Sequence, residues 1–300
     1  MIQSVLRPVY HWAHDFLNET AGKMPLIPGT YQGQVIGRGH ISDEHLENPE
    51  LDEVMGREFE RMGIPVLPFT ISGEGYQQWL EESAYPSDYY GGGKDPEQNF
   101  TEKTLEHFVS TSFFDLDESS VFIDIAACTS PFSAILEKKY GAKTYQQALI
   151  YPKGVNDRRI GGWAHELGLP DNVVDAVTLH CSLEHFEGDS DTRFFQELER
   201  VLKPGGKAII LPFYIAHTYT IHVDPGYNLL KRHRPKLDPL AKLRYCDWYQ
   251  FFSRHYDPQA LKRRVLDKAP SLNLTLYRVQ NFQDIYPDSY LRWIGVFEKG

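Results

Sequence analysis

The segment His180-Cys-Ser-Leu-Glu-His185 gathers two imidazoles, a thiol and a carboxylate into one short stretch. An imidazole titrates close to neutrality, so His180 or His185 can take a proton from a hydroxyl or an amine, with Glu184 orienting the ring or acting as the base itself. The competing reading is structural: Leu183-Glu-His-Phe186 opens a helix and His185 caps or packs. A second run continues from Pro212-Phe-Tyr214 through His217, Tyr219, His222 and Asp224, and its aromatic and imidazole groups suit a pocket or lid for a small acceptor. His217, His222 and Asp224 are also metal-ligand types. No H-E-x-x-H and no cysteine pair accompanies them, so no metal is assigned. Gly93-Lys94-Asp95 lacks both the Ser/Thr and the preceding glycine of a phosphate loop, and no G-x-S-x-G elbow is present.

These groups need a frame, and residues 119–215 supply the most regular one. Val121-Phe-Ile-Asp-Ile125 reads as a buried strand. Ser130-Pro131 follows as N-cap and first-turn proline of a helix with Phe132, Ile135 and Leu136 on one face, closed by Gly141. Further strands are expected at Lys143–Gln147, Arg159–Gly161, Val173–Leu179 and Lys207–Leu211. A helix carrying Phe194, Phe195, Leu198, Val201 and Leu202 ends at Lys203-Pro-Gly-Gly206. Strands alternating with helices imply a mostly parallel sheet, which binds ligands beyond the carboxyl ends of its strands. That is where Asp124 and His180–His185 should lie.

Outside this stretch, residues 1–118 read as a mixed, partly helical extension that caps an acceptor site. Residues 212–265 read as an insertion within a domain spanning 119–300. The basic run Lys231-Arg-His-Arg-Pro-Lys236, with Lys242 and Arg244, is either a solvated segment or a basic mouth for a phosphorylated or carboxylated acceptor. Leu272–Gln280 and Tyr290–Glu298 are β-like and suit an antiparallel closing edge.

Three hundred residues that are 41% hydrophobic and 24% charged have ample apolar surface for a folded core. A net charge of −10 argues against a general nucleic-acid partner or a polybasic membrane anchor. No run approaches the ~18 apolar residues of a spanning helix, and no signal-peptide core is seen. Three scattered cysteines, Cys128, Cys181 and Cys246, form neither a disulfide framework nor a zinc pattern, so a cytoplasmic location is expected.

Asp124-Ile-Ala-Ala-Cys-Thr-Ser-Pro-Phe-Ser133 resembles the D-x-G-x-G-x-G block of class I S-adenosylmethionine-dependent methyltransferases. Leu169–Val177, Leu183-Glu-His-Phe186 and Glu199–Gly206 resemble that family's later blocks, in order and at matching spacing. The resemblance implies an α/β Rossmann-like, doubly wound, seven-stranded sheet with an antiparallel edge, and S-adenosylmethionine as cofactor. It assigns Asp124, Ala126, Ala127, Cys128 and Thr129 to the cofactor loop, Gln147 and Ala148 to the ribose edge, and Trp163 and Ala164 to the adenine, and counts His180 and Cys181 among the cofactor-binding residues.

Three departures are visible. Ala126, Cys128 and Ser130 replace glycines, and since such residues resist positive φ the loop is expected to run differently or sit farther from the ligand. Ala148 falls where the family has an acid for the ribose hydroxyls, leaving Gln146 or Gln147 as substitutes. Trp163 replaces an acid, and either stacks on the adenine or fills its volume. The expected function is methyl transfer to oxygen or nitrogen of a small-molecule acceptor, with His180, Glu184 and His185 as proton-handling residues and Tyr214, His217, Tyr219 and His222 lining the acceptor. The alternatives are a methyltransferase-like binding module, and a non-methylating use of the same cofactor.

Overall fold

The strands follow the alternation of apolar and polar residues, and their pairing fixes where the loops emerge. The computed structural model describes residues 2–21, 33–89 and 96–300. The glycine-rich stretch beyond Tyr89 therefore lies outside the described residues. In chain order the strands are β1 (Val35–Arg38), β2 (Val66–Phe69), β3 (Val121–Ile125), β4 (Lys143–Asn156), β5 (Arg159–Gly161), β6 (Val174–His180), β7 (Leu202–Leu211), β8 (Thr220–Val223), β9 (Lys242–Tyr245), β10 (Ser253–His255), β11 (Leu272–Val279) and β12 (Trp293–Lys299).

Two compact units are present. One comprises residues 1–58, 184–191 and 214–261, the other 59–183, 192–213 and 262–300. The chain thus does not divide at residue 118, because residues 59–89 and 96–118 group with the central sheet. In this second unit the order is β2-β11-β12-β7-β6-β3-β4-β5. Strands β5, β4, β3, β6 and β7 run parallel, and β12 pairs antiparallel with both β7 and β11. The expected seven strands become eight: β2, from the segment read as an extension, adds in parallel to β11. Its four residues carry too weak an alternation to be recognised before a partner edge exists.

Register sets the faces. Phe122 and Asp124 share one face with Ala176 and Thr178, and this face is covered by helices Gly73–Ser83, Pro96–Ser110 and Phe132–Tyr140. Phe122, Phe132, Leu105, Val109, Leu136 and Ile209 form the core between them. Burying a side chain of that size contributes roughly 1.5–3 kcal/mol. The helix after β3 ends as expected, Gly141 taking φ 72° with its N–H bonded to Glu137 O at 2.9 Å. Its start is displaced by one residue: Pro131 holds the cap position, while the Ser130 hydroxyl still accepts from Phe132 N–H at 3.2 Å.

The first unit has a four-stranded sheet of order β1-β9-β8-β10, with β1, β9 and β8 parallel and β10 antiparallel to β8. Asp224 caps the helix Pro225–Leu230 through Tyr227 N–H at 2.8 Å, and also receives His14 Nε2 at 2.7 Å and Asn18 Nδ2 at 3.1 Å from the first helix. No helix among the described residues is long and apolar enough to cross a membrane.

Candidate active site

Asp124 stands at the last inward position of β3, 1% exposed. Its Oδ1 accepts from Thr178 Oγ1 at 3.1 Å and lies 3.3 Å from His180 Nδ1, both on the neighbouring β6. Its Oδ2 is buried without a hydrogen-bond partner among the described residues. A buried carboxylate oxygen left unbonded destabilises the fold by about 1–3 kcal/mol or more, so such an atom marks a position for a further donor.

The loop leaving β3 corrects the expectation drawn from its missing glycines. Ala126 and Cys128 adopt φ 56° and 49°, the left-handed region that glycine would favour. The tight turn survives without its glycines, at roughly 1–2 kcal/mol of local strain per residue. Gln147 is what holds it. Its buried amide accepts Ala126 N–H through Oε1 at 3.0 Å and donates through Nε2 to Gly162 O at 2.6 Å, while its carbonyl receives Ala127 N–H at 2.9 Å. Gln147 therefore braces the loop and is not available to a ribose. Gln146 is likewise engaged, with Ser130 O at 2.5 Å and the Tyr151 hydroxyl at 3.3 Å. Tyr151 also donates to Cys128 O. Ala148 is buried and faces Gly161.

The connection from β4 to β5 carries no helix. β4 continues to Asn156 and folds back on itself, so that the carbonyls of Tyr151 and Pro152 cross directly over Gly161, where a Cβ would lie 2.0 Å from Pro152 O. Beyond it, Trp163 is 54% exposed and stacks on His165 at 5.7 Å, so it does not fill the crevice; Ala164 is buried. Cys128 and Thr129 are exposed, and Ala126 and Ala127 half-buried.

His180 is nearly enclosed, with Nε2 3.3 Å from Ser110 Oγ and Nδ1 toward Asp124. Both nitrogens face protein groups, so the ring positions Asp124 and offers no free nitrogen to an acceptor. Cys181, at φ 48°, has its sulfur 3.6 Å from Glu106 Oε1 and 3.3 Å from the Tyr290 hydroxyl. Glu184 and His185 belong to the other unit, as a short 3-10 turn, with His185 Nδ1 2.7 Å from Phe252 O and Nε2 3.5 Å from Glu184.

The helix Pro96–Ser110 supplies residues that sequence reasoning missed. The Trp79 indole donates to the Tyr85 hydroxyl at 3.1 Å, Tyr85 lies 3.0 Å from His107 Nδ1, and His107 Nε2 lies 3.3 Å from Ser130 Oγ on the loop. Burial first, then the charges of His180 and Lys103, hold His107 well below the ordinary histidine range, so it is neutral. Lys103 is buried against Glu106, with Nζ 2.9 Å from both oxygens. The usable signal was Glu102, Glu106 and His107 interleaved with the core residues Leu105 and Val109 at helical spacing, a charged set too apolar in company to be solvated.

In the first unit, Tyr214 and His217 are part-exposed, while Tyr219 and His222 are buried. Tyr219 is committed to protein, its hydroxyl to Asp238 at 2.9 Å and its N–H to Asp257 at 3.1 Å. His217 Nδ1 lies 3.0 Å from His45 Nε2, and His45 Nδ1 lies 2.7 Å from Asp52. No cluster of three metal-ligand side chains is found among the described residues.

Residues 123–210, from β3 to the end of β7, match the model of a methyltransferase domain. This central stretch of the chain is thus similar to methyltransferase domains. The chain is 30% identical over 126 residues to a ubiquinone/menaquinone biosynthesis C-methyltransferase of Hydrogenovibrio crunogenus, an alignment covering 37% of this chain and 46% of that one. It thus spans about half the length of the curated relative that it matches. Among solved structures it is similar to a 1,6-didemethyltoxoflavin N1-methyltransferase of Burkholderia thailandensis, solved with its substrate and S-adenosylhomocysteine. That likeness is at 16% identity, over 78% of this chain and 93% of that one, with a TM-score of 0.46. The PH0226 protein of Pyrococcus horikoshii is similar at 16% identity, over 74% and 99%, with a TM-score of 0.44. In this domain the first-strand loop keeps a tight turn by a side-chain brace in place of glycines.

Proposed function

We propose that the protein transfers a methyl group from S-adenosylmethionine to a small-molecule acceptor. The observation that carries this is Asp124: a buried carboxylate oxygen without a donor among the described residues, at the carboxyl edge of the central strand and beside a left-handed loop. An ammonium group, such as that of the cofactor's methionine part, is the donor that such an oxygen suits. When bound, the cofactor supplies an electrophilic methyl on a sulfonium. The chain's own residues then have four tasks. Asp124 holds the ammonium, His180 and Thr178 fix the carboxylate, Gln147 keeps the loop turned, and the neutral His107 lines the site without adding charge to it. The half-exposed face of Trp163 is the surface available for an adenine.

Methyl transfer at a sulfonium needs alignment and desolvation before it needs an acid or base. This accords with His180 having no free nitrogen. Whether oxygen, nitrogen or carbon is methylated follows from the acceptor, which a labelled-cofactor incubation with cell extract would identify. A second reading, a binding module that does no chemistry, is favoured by the ribose edge, where Ala148 offers no acceptor and Gln146, Gln147 and Tyr151 are already bonded. Calorimetric titration with S-adenosylhomocysteine tests the proposal. Saturable binding that Asp124→Asn weakens by tenfold or more supports it, and absence of binding at millimolar ligand refutes it. Binding without any labelled product from extract would leave the module.

A further inference from the structure

The sheet of the first unit carries an unusual polar face. His222 on β8 is paired in register with Arg244 on β9, and Thr220 stands two residues before His222 on the same side. All three are at most 8% exposed. Arg244 gives Nη2 to Glu44, but its Nε and Nη1 are buried with no partner among the described residues; so is the Thr220 hydroxyl. His222 Nε2 accepts Ile41 N–H at 3.2 Å, which puts the proton of the neutral ring on Nδ1. That N–H faces the Ser253 carbonyl, opposite it on the adjacent strand. Three groups able to donate, Arg244 Nε and Nη1 and the Thr220 hydroxyl, are thus left without acceptors among the described residues on one face. Native proteins leave very few buried polar atoms unbonded, so a guanidinium edge and a hydroxyl left together describe what is missing.

We infer that this face binds an oxyanion, a carboxylate or phosphate group carried on a planar ring. The anion follows from the donor set, the free edge of a guanidinium beside a hydroxyl. The ring follows from the walls. His40 lies parallel to His222 with centroids 4.9 Å apart, Trp248 lies 4.5 Å from His40, and Tyr214 lies 4.8 Å from His255. His40, Trp248 and Tyr214 are part-exposed and flank the buried donors, so the surface that a ligand ring would lie against is aromatic. The inference goes beyond the proposed function, and its binding test is independent of methyl transfer.

The full-length protein is titrated calorimetrically at pH 7.5 with sodium acetate, sodium benzoate and inorganic phosphate, each without cofactor. One saturable site per chain is expected, with benzoate binding at least fivefold tighter than acetate; a preference for phosphate over both would identify a phosphorylated ligand. Thr220→Val keeps the shape and removes one orphaned hydroxyl. It should leave the melting temperature unchanged or raised, and weaken the bound probe about tenfold. Arg244→Lys should weaken it further. Asp124→Asn should leave probe binding intact while losing S-adenosylhomocysteine, so that the two proposals fail separately. No saturable uptake of any probe, or equal affinity in wild type and Thr220→Val, overturns the inference.

Discussion

Replacing Gln147 by leucine removes the brace of the cofactor loop while conserving most of the side-chain volume. The amide bonds two main-chain groups on different segments, Ala126 N–H at 3.0 Å and Gly162 O at 2.6 Å, and the residue is 2% exposed. Leucine leaves both groups unbonded. Each orphan destabilises by ~1–3 kcal/mol, and because Ala126 and Gly162 are only half-buried the lower part of that range applies, about 2–3 kcal/mol in all. At about 2–4 °C per kcal/mol for a protein of this size, the melting temperature should fall by roughly 4–12 °C. S-adenosylhomocysteine affinity should fall as well, since Ala126 and Cys128 hold left-handed conformations that leucine no longer enforces. Gln147→Glu separates the two bonds. A carboxylate still accepts from Ala126 but faces Gly162 O with a like charge, so its folded-state pKa is raised. Its deficit relative to wild type should then be largest at pH 7.5 and shrink as pH falls toward 5. Differential scanning fluorimetry and calorimetry follow both variants. A leucine variant melting within 1 °C of wild type would refute the bracing argument.

Four further outcomes are expected. Ala126→Gly should relieve left-handed strain and match or exceed wild-type stability in urea unfolding, whereas Ala126→Val should destabilise by at least ~1 kcal/mol; equal midpoints for the two would contradict the φ assignment. Gly161→Ala should fail to fold or melt far lower, because its Cβ would meet main-chain oxygens at 2.0 and 2.5 Å. Exposed Cys128 should react with thiol reagents well before Cys246, whose thiol burial pushes up to about 12, and saturating S-adenosylhomocysteine should slow Cys128; labelling in the reverse order would count against the site. Burial holds His107 and His222 well below their unfolded value of ~6.5, so the unfolded chain gains protons first as pH drops. Stability should be flat above pH 7 and fall below 6.5 by up to ~1.4 kcal/mol per pH unit for each ring; a profile rising on acidification would refute this.

The alternation of strands and helices over 119–215 was legible in the residues, because period-two and 3.6-residue patterns, a helix-stopping Gly141 and a Pro-Gly-Gly stop are local signals. So was the placing of Asp124 and His180 at one sheet edge, since strand ends follow from strand limits. What pairs across long separations was not. The four-residue β2 becomes a strand only against β11, and Arg244 meets His222 only when β9 pairs with β8. The roles of Gln147 and His107 were equally hidden, because a buried amide or imidazole takes its function from the main chain or ring it happens to face. Residue types also misjudged the loop: intrinsic preference argues against positive φ at Ala126 and Cys128, yet a few well-placed hydrogen bonds outweigh one or two kcal/mol of strain. Sequence alone determined which segments could form the sheet and its ligand edge; tertiary structure decided which polar atoms at that edge were left for a ligand, because hydrogen-bond satisfaction is a property of neighbours brought together by folding.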